Sequence, residues 1–490
     1  MIAVGLVQIL LLVVLLLRSK GLAIMLGPEG VGIIGVVDQL VVTLTQISAL
    51  GIPFTAMKFM SAAHSTSTEA FRDTYAAFAR VIAGLAISVL VLSIGITSFA
   101  PGLLAGFAEY QDVLLIALFS VPPGMMTIMI AHTLAAEQRP RGAALYNLAF
   151  LGSLSLCGLT GAYFAGIRGF YIGSVAAAAF VITAVMIWFA RSQGLSIMRK
   201  GVSLRDKFGK QPKVISTALA AYVALVSFSA GMLVVRYAII SQLGEAQTGL
   251  LQSALSLALS VGSILATMSG LYLAPSLNRN ESVEFKFAKA ISFANRVAML
   301  LVLGAVPLAL LPGLGLTILF TGAFVPAAGA LIACLIWQCM FLLKTVYLQL
   351  LIGVDQPLSG AAGALLTLAV VVIAVFPLVP VLGLIAVPVA LALGEVAGIV
   401  FMAIRLRGTV GMPVPWRLLL LFVWTASVIG AAGLLFDTSQ VIPEPSDLGL
   451  RVLYGMIVLG ITWMMMPDDL SLRSMIARIR SKVARSPDER

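Results

Sequence analysis

Apolar positions along this chain are gathered into long continuous runs, broken by short polar or glycine-containing turns, with little of the alternation or three-four spacing of half-buried strands or soluble helices. Fourteen such runs can be marked, centred near residues 14, 46, 88, 124, 154, 180, 228, 260, 302, 340, 368, 394, 426 and 458. About 20 apolar residues in helical form cross a hydrocarbon core of roughly 30 Å. The pattern therefore predicts an all-α polytopic membrane protein with about fourteen transmembrane helices. Pro122, Pro123, Pro312, Pro377, Pro380 and Pro388 fall within or beside runs and predict interrupted helices there. Composition agrees: 60% of the 490 residues are hydrophobic, 10% are charged, and mean hydropathy is +1.08. A soluble core cannot absorb that much apolar surface.

The net charge of +11 would suit a nucleic-acid binder, but the placement of the charges excludes one. If the turn at residues 27–32 faces one side and later turns alternate, 25 of the 31 lysines and arginines lie on the opposite side, four lie inside runs, and only Arg168 and Arg451 share the first side. That first side carries Glu29, Glu109, Asp112, Glu245, Asp437, Glu444 and Asp447 instead. Such asymmetry follows the positive-inside rule and predicts a multi-pass membrane protein with both termini cytoplasmic. The three cysteines sit in apolar runs as packing residues, and no disulfide framework or metal-ligand spacing is present.

The chain also repeats itself. RSKGLAIMLGPEGVG places Arg18 nine residues before Gly27, and RYAIISQLGEAQTG places Arg236 eight residues before Gly244. Each arginine lies in an apolar run and is followed by Leu-Gly, an acidic residue (Glu29, Glu245) and a second glycine (Gly32, Gly249). The repeat predicts two six-helix bundles, residues 1–190 and 214–406, joined by a basic cytoplasmic linker at 191–213. Residues 407–466 would add a helix pair, and 467–490 a basic amphipathic tail on the inner leaflet.

Charges inside the runs are candidates for function, because a membrane-buried charge is costly without a partner. At 1.5 Å per residue, Arg18 lies about 13 Å, Asp38 about 9 Å and Arg236 about 12 Å below their nearest turn, at a shared depth. Arg18 with Asp38 is the natural ion pair. Lys20 points to a different face, Lys344 lies within two turns of the inner end of the tenth run, Glu395 lies near mid-depth in the twelfth, and Lys58 closes the second at the surface. Arg18, Lys20, Lys58, Arg236 and Lys344 are the candidate cationic groups for an anionic cargo; Asp38 and Glu395 are the candidates for ion pairing or coupling. Gln252, Ser253 and Ser256 follow Gly249 as candidate cavity-lining groups. No Walker A is present, since Gly209-Lys210 is followed by Gln211, nor is a nucleophile elbow. The chain reads as a transporter without a cofactor, not an enzyme.

The segments LAIMLGPEGVGIIG (22–35) and ALGI (49–52), VVRYAIISQLGEAQTGLLQ (234–252), YLAPSLNR (272–279) and FLLKTVYLQ (341–349) resemble the first, second, seventh, eighth and tenth helices of Wzx-type O-antigen flippases. These belong to the multidrug/oligosaccharidyl-lipid/polysaccharide exporter superfamily. The resemblance implies an undecaprenyl-pyrophosphate-linked oligosaccharide as cargo, turned from the cytoplasmic to the periplasmic leaflet, with membrane lipids, a polysaccharide polymerase and a chain-length regulator as partners. A proton- or sodium-coupled drug antiporter of the same superfamily is the alternative. It predicts an acidic cavity, whereas cations outnumber acids inside these runs.

Overall fold

The computed structural model describes residues 2–99, 110–137, 139–199, 212–268, 273, 277, 282–411 and 416–465; the amphipathic tail and most of the basic linker fall outside that set. Among the described residues the chain is helix and turn, with no strand. The helices are α1 (Ile2–Ser48), α2 (Ile52–Thr66), α3 (Thr68–Phe99), α4 (Gln111–Leu118), α5 (Val121–Ala136), α6 (Pro140–Trp188), α7 (Pro212–Leu243), α8 (Glu245–Met268), α9 (Val283–Leu310), α10 (Pro312–Leu319), α11 (Ala328–Gly353), α12 (Pro357–Leu382), α13 (Ala386–Val410), α14 (Trp416–Leu435) and α15 (Pro445–Met464). Each of the fourteen apolar runs lies on one or more of them.

Ten stretches are long and apolar enough to cross a membrane, and three of these are about twice the necessary length. Those three are hairpins whose turns are only one to three residues long. In α1 the break is Gly27, at φ 63° and ψ −170°, a conformation open to glycine. Residues 18 and 38 would be about 30 Å apart along a straight helix, yet their side chains form an ion pair, so the two limbs fold back on each other. In α6 the break is Ala165–Gly166, and the limbs close so tightly that a methyl at Gly161 would meet the Gly169 carbonyl oxygen at 2.0 Å. Small residues at a crossing are how membrane helices gain contact where lipid supplies no hydrophobic drive. Gly383 turns α12 into α13 in the same way, with Gly394 against the Thr367 carbonyl. Pro122 and Pro123 begin α5 after the break at residues 119–120, and Pro312 begins α10, but Pro377 and Pro380 lie inside α12 without interrupting it and Pro388 lies in the first turn of α13.

The packing is that of a protein turned toward lipid. Leu156, Phe180, Ile373 and Leu434 are 69% to 90% exposed, while Arg236, Lys344, Glu395 and Arg451 are buried. One buried apolar cluster is formed by α2, α3, α5 and α6. A second runs through α7 to α15 and takes in residues 22–37 of α1, so the first hairpin is shared between the two. At its core is α11, whose Leu335, Trp337 and Cys339 are wholly buried.

Candidate functional site

The two repeated turns meet. Gly244, like Gly27, has a positive φ (86° and 63°), so both arginine-bearing helices end alike. The helices that follow, the second limb of α1 and α8, then cross at their second glycines. A β-carbon on Gly249 would lie 1.8 Å from the Pro28 carbonyl oxygen, and one on Gly32 would lie 2.3 Å from the Glu245 carbonyl oxygen. One turn further in, a β-carbon on Gly35 would lie 2.9 Å from Gln252 Oε1, so the missing side chain leaves room for the amide. The glycines therefore allow backbone-to-backbone contact that seals this end of the molecule.

Immediately behind the seal lies a small pocket of about 60 Å³, lined by Arg18, Ser19, Asp38, Gln252, Ser256 and Phe320 among others. On one wall, Arg18 Nη2 lies 2.6 Å from Asp38 Oδ2, the Tyr171 hydroxyl donates to Asp38 Oδ1 at 2.9 Å, and the guanidinium sits 5.0 Å above the Phe170 ring. On the other wall stands Gln252, whose Oε1 accepts from Nε and Nη2 of Arg236, at 3.1 and 2.8 Å; Arg236 lies behind it, outside the pocket lining, and donates from Nη1 to the Met232 carbonyl at 3.0 Å. Arg236 is only 5% exposed, and among the described residues no carboxylate comes within ion-pair distance of it. Its direct partners are neutral dipoles, and Asp38 acts on it only from beyond contact distance, a costly arrangement for a desolvated cation in a membrane.

The two arginines differ because their spacings differ. Nine residues before the turn against eight is a rotation of about 100° around the helix. Arg18 therefore faces its own hairpin and α6, while Arg236 faces α8.

The other sequence candidates do not join this group. Lys20 donates to the Thr317 carbonyl at 2.8 Å on α10. Lys58 is exposed on α2, at the far end of the second run. Lys344 Nζ lies 2.5 Å from Glu395 Oε2, with side chains 9% and 2% exposed, inside α11, α12 and α13. Depth along the helices separates these two; the long lysine stem closes the gap, as such stems do near membrane surfaces. Gly398 makes room for it, with the Lys344 Cδ 3.3 Å from where its β-carbon would stand.

Tyr171 and Phe170 were not foreseen, because nothing in a Gly-Phe-Tyr opening of an apolar run marks it as the partner of an aspartate 133 positions away. Arg451 is another surprise: nearly fully buried, it bonds Asp447 and the Leu310 and Asp437 carbonyls, docking α15 on α9. The Asp447–Arg451 spacing of four was the available signal.

Beside the ion pair, a second and larger cavity of about 300 Å³ opens among α1, α5 and α6, with Arg18 and Asp38 on its wall.

No protein-family model matches the chain, and no curated protein sequence does. Solved structures do match. The lipid II flippase MurJ in an inward closed conformation superposes with a TM-score of 0.71 at 14% identity, over 97% of this chain and all of MurJ's. An inward-facing multidrug-resistance MATE transporter of the MOP superfamily gives 0.62 at 15% identity, over 85% of this chain and 94% of its own. An outward-facing MATE transporter of that superfamily gives 0.56 at 16% identity, over 88% and 96%. From end to end, then, this chain has the all-helical membrane fold shared by MurJ and the MATE transporters.

Proposed function

We propose that the chain is a flippase of the bacterial inner membrane that turns an undecaprenyl-pyrophosphate-linked oligosaccharide, an O-antigen or related surface-polysaccharide unit, from the cytoplasmic to the periplasmic leaflet. The observation that carries this reading is Arg236: a buried guanidinium held by one carbonyl and by Gln252, the side chain that separates it from the pocket lined by Arg18. A pyrophosphate supplies the missing negative charge, and the planar fork of arginine suits its oxygens. The likeness to MurJ, a lipid II flippase by its description, supports a lipid-linked cargo. The prenyl tail stays in lipid, so only the head group needs shelter.

Transport by alternating access follows from the arrangement. With the termini cytoplasmic, the crossed turns at residues 27–32 and 244–249 form the periplasmic seal. A pocket of about 60 Å³ holds about two waters, so the head group enters only as α1 and α8 part. Asp38 is the group whose protonation would free Arg18 for the phosphate; Glu395, paired with Lys344, is the corresponding coupling candidate in the second half. The fold's likeness to MATE transporters favours a second reading, a proton- or sodium-coupled drug antiporter. The excess of cation over acid inside the apolar runs, Arg18, Lys20, Arg236 and Lys344 against Asp38 and Glu395, weighs against a cationic drug.

The test is complementation of a deletion strain. Arg236→Ala and Arg18→Ala should abolish surface glycan while the protein still inserts, and Arg236→Lys should restore only part of it. Normal surface glycan with Arg236→Ala would rule the phosphate role out.

A further inference from the structure

We infer that the 300 Å³ cavity in the first half of the chain is a subsite for the sugar ring attached directly to the pyrophosphate. This rests on the pyrophosphate reading above and adds a place for the glycan. The cavity adjoins Arg18 and Asp38, so a phosphate drawn to Arg18 brings its first sugar to this opening. A volume of that size holds about ten waters, at the lower bound for a small-molecule site.

Its lining has the two features a pyranose requires. Phe150 and Phe170 stand in the lining and supply aromatic surface for the sugar's C–H groups, with Arg18 over one face of Phe170. Hydrogen-bonding capacity stands beside them. The Gln46 carboxamide oxygen is buried without a partner. Ser155 donates to the Leu151 carbonyl at 2.7 Å and keeps its lone pairs free to accept. Ser174 reaches the Leu154 carbonyl only at 3.4 Å, the long limit of a bond, so its hydroxyl can turn to a ligand. An isoprenoid tail in the same space would leave the buried Gln46 oxygen without a partner, a penalty that a sugar hydroxyl removes. Gly124, also in the lining, lets α5 pack closely on α1, since a β-carbon there would come within 3.2 Å of Thr45. The combination of aromatic faces, an unpartnered amide oxygen and adjustable hydroxyls matches a sugar better than a lipid chain.

The experiment measures binding of two probes to the full chain in nanodiscs: undecaprenyl pyrophosphate, and the same lipid carrying one N-acetylglucosamine. The wild type should bind the sugar-bearing lipid about tenfold tighter, the worth of one or two hydrogen bonds. Gln46→Leu removes the amide at similar volume, and Ser155→Leu fills the pocket; each should bring the ratio near one and leave affinity for the bare lipid unchanged. Equal binding of both lipids by the wild type, or a tenfold ratio kept by both variants, would overturn the subsite while sparing the pyrophosphate reading. Failure of the wild type to bind either lipid would overturn both.

Discussion

Gly249 offers the sharpest perturbation of the transport cycle. Replacing it with alanine puts a methyl 1.8 Å from the Pro28 carbonyl oxygen and 2.6 Å from the carbonyl carbon. Carbon approaches such an oxygen to about 3.3 Å, so the two limbs must part by about 1.5 Å. The obstacle is backbone, which has no rotamer to give way. Overpacking of this kind costs about 1–3 kcal/mol, and since the clash exists only when the seal is shut, the cost falls on that state alone. The equilibrium should move about 5- to 150-fold toward the state open at that end. A reporter cysteine at Ser256, on the small pocket behind the seal, reads this in a background lacking Cys157, Cys334 and Cys339. Gly249→Ala should raise its labelling by a membrane-impermeant maleimide by that factor and cut glycan export at least as far. Gly84→Ala, whose β-carbon has nothing within 4 Å, should change neither. Unchanged labelling together with unchanged export would refute the idea that this crossing is the gate.

Three other outcomes are expected. Lys344→Met and Glu395→Gln should each lower the melting temperature strongly, since removing one partner of a buried pair costs about 3–5 kcal/mol; the double variant should melt nearer the wild type, and strictly additive losses would show that the pair is not coupled. Tyr171→Phe removes the hydroxyl that holds Asp38 and should shift the pH dependence of transport, whereas an unaltered profile would remove Asp38 from the coupling step. At the C-terminal end of α5, burial holds the Glu137 carboxyl above its ordinary range, against the opposing pull of Arg139. A raised carboxyl contributes stability that is complete below the unfolded pKa of about 4.3 and is lost as pH rises through the folded value. Glu137→Gln should therefore flatten the fall in melting temperature across that window, and an identical pH profile in wild type and variant would count against it.

The spans were legible because length and hydropathy are one-dimensional properties: all fourteen apolar runs lie on helices. Depth was legible for the first pair, since a fixed rise per residue puts Arg18 level with Asp38 and the two line one small pocket; Arg236, expected at the same depth, reaches that pocket only through Gln252. Which way a side chain faces was less so. A single-residue change of spacing turned Arg236 toward Gln252 rather than toward an acid, and a sequence without its helix rotations does not reveal that. Lys344 and Glu395 stand at different helix depths and are joined by the lysine's reach, which a count of residues misses. Phe170 and Tyr171 carry no charge, and they meet Arg18 and Asp38 only because Gly161 and Gly169 bring the α6 limbs together and α6 packs on α1. The repeat proved informative in an unexpected way: its glycines are where the two turns touch.

The most direct measurement is the leaflet distribution of undecaprenyl-pyrophosphate oligosaccharide after depletion of this chain. The account predicts accumulation on the cytoplasmic face with loss of surface polysaccharide, both reversed by the wild type and neither by Arg236→Ala. An unchanged distribution, with altered sensitivity to cationic drugs, would contradict it and favour the antiporter.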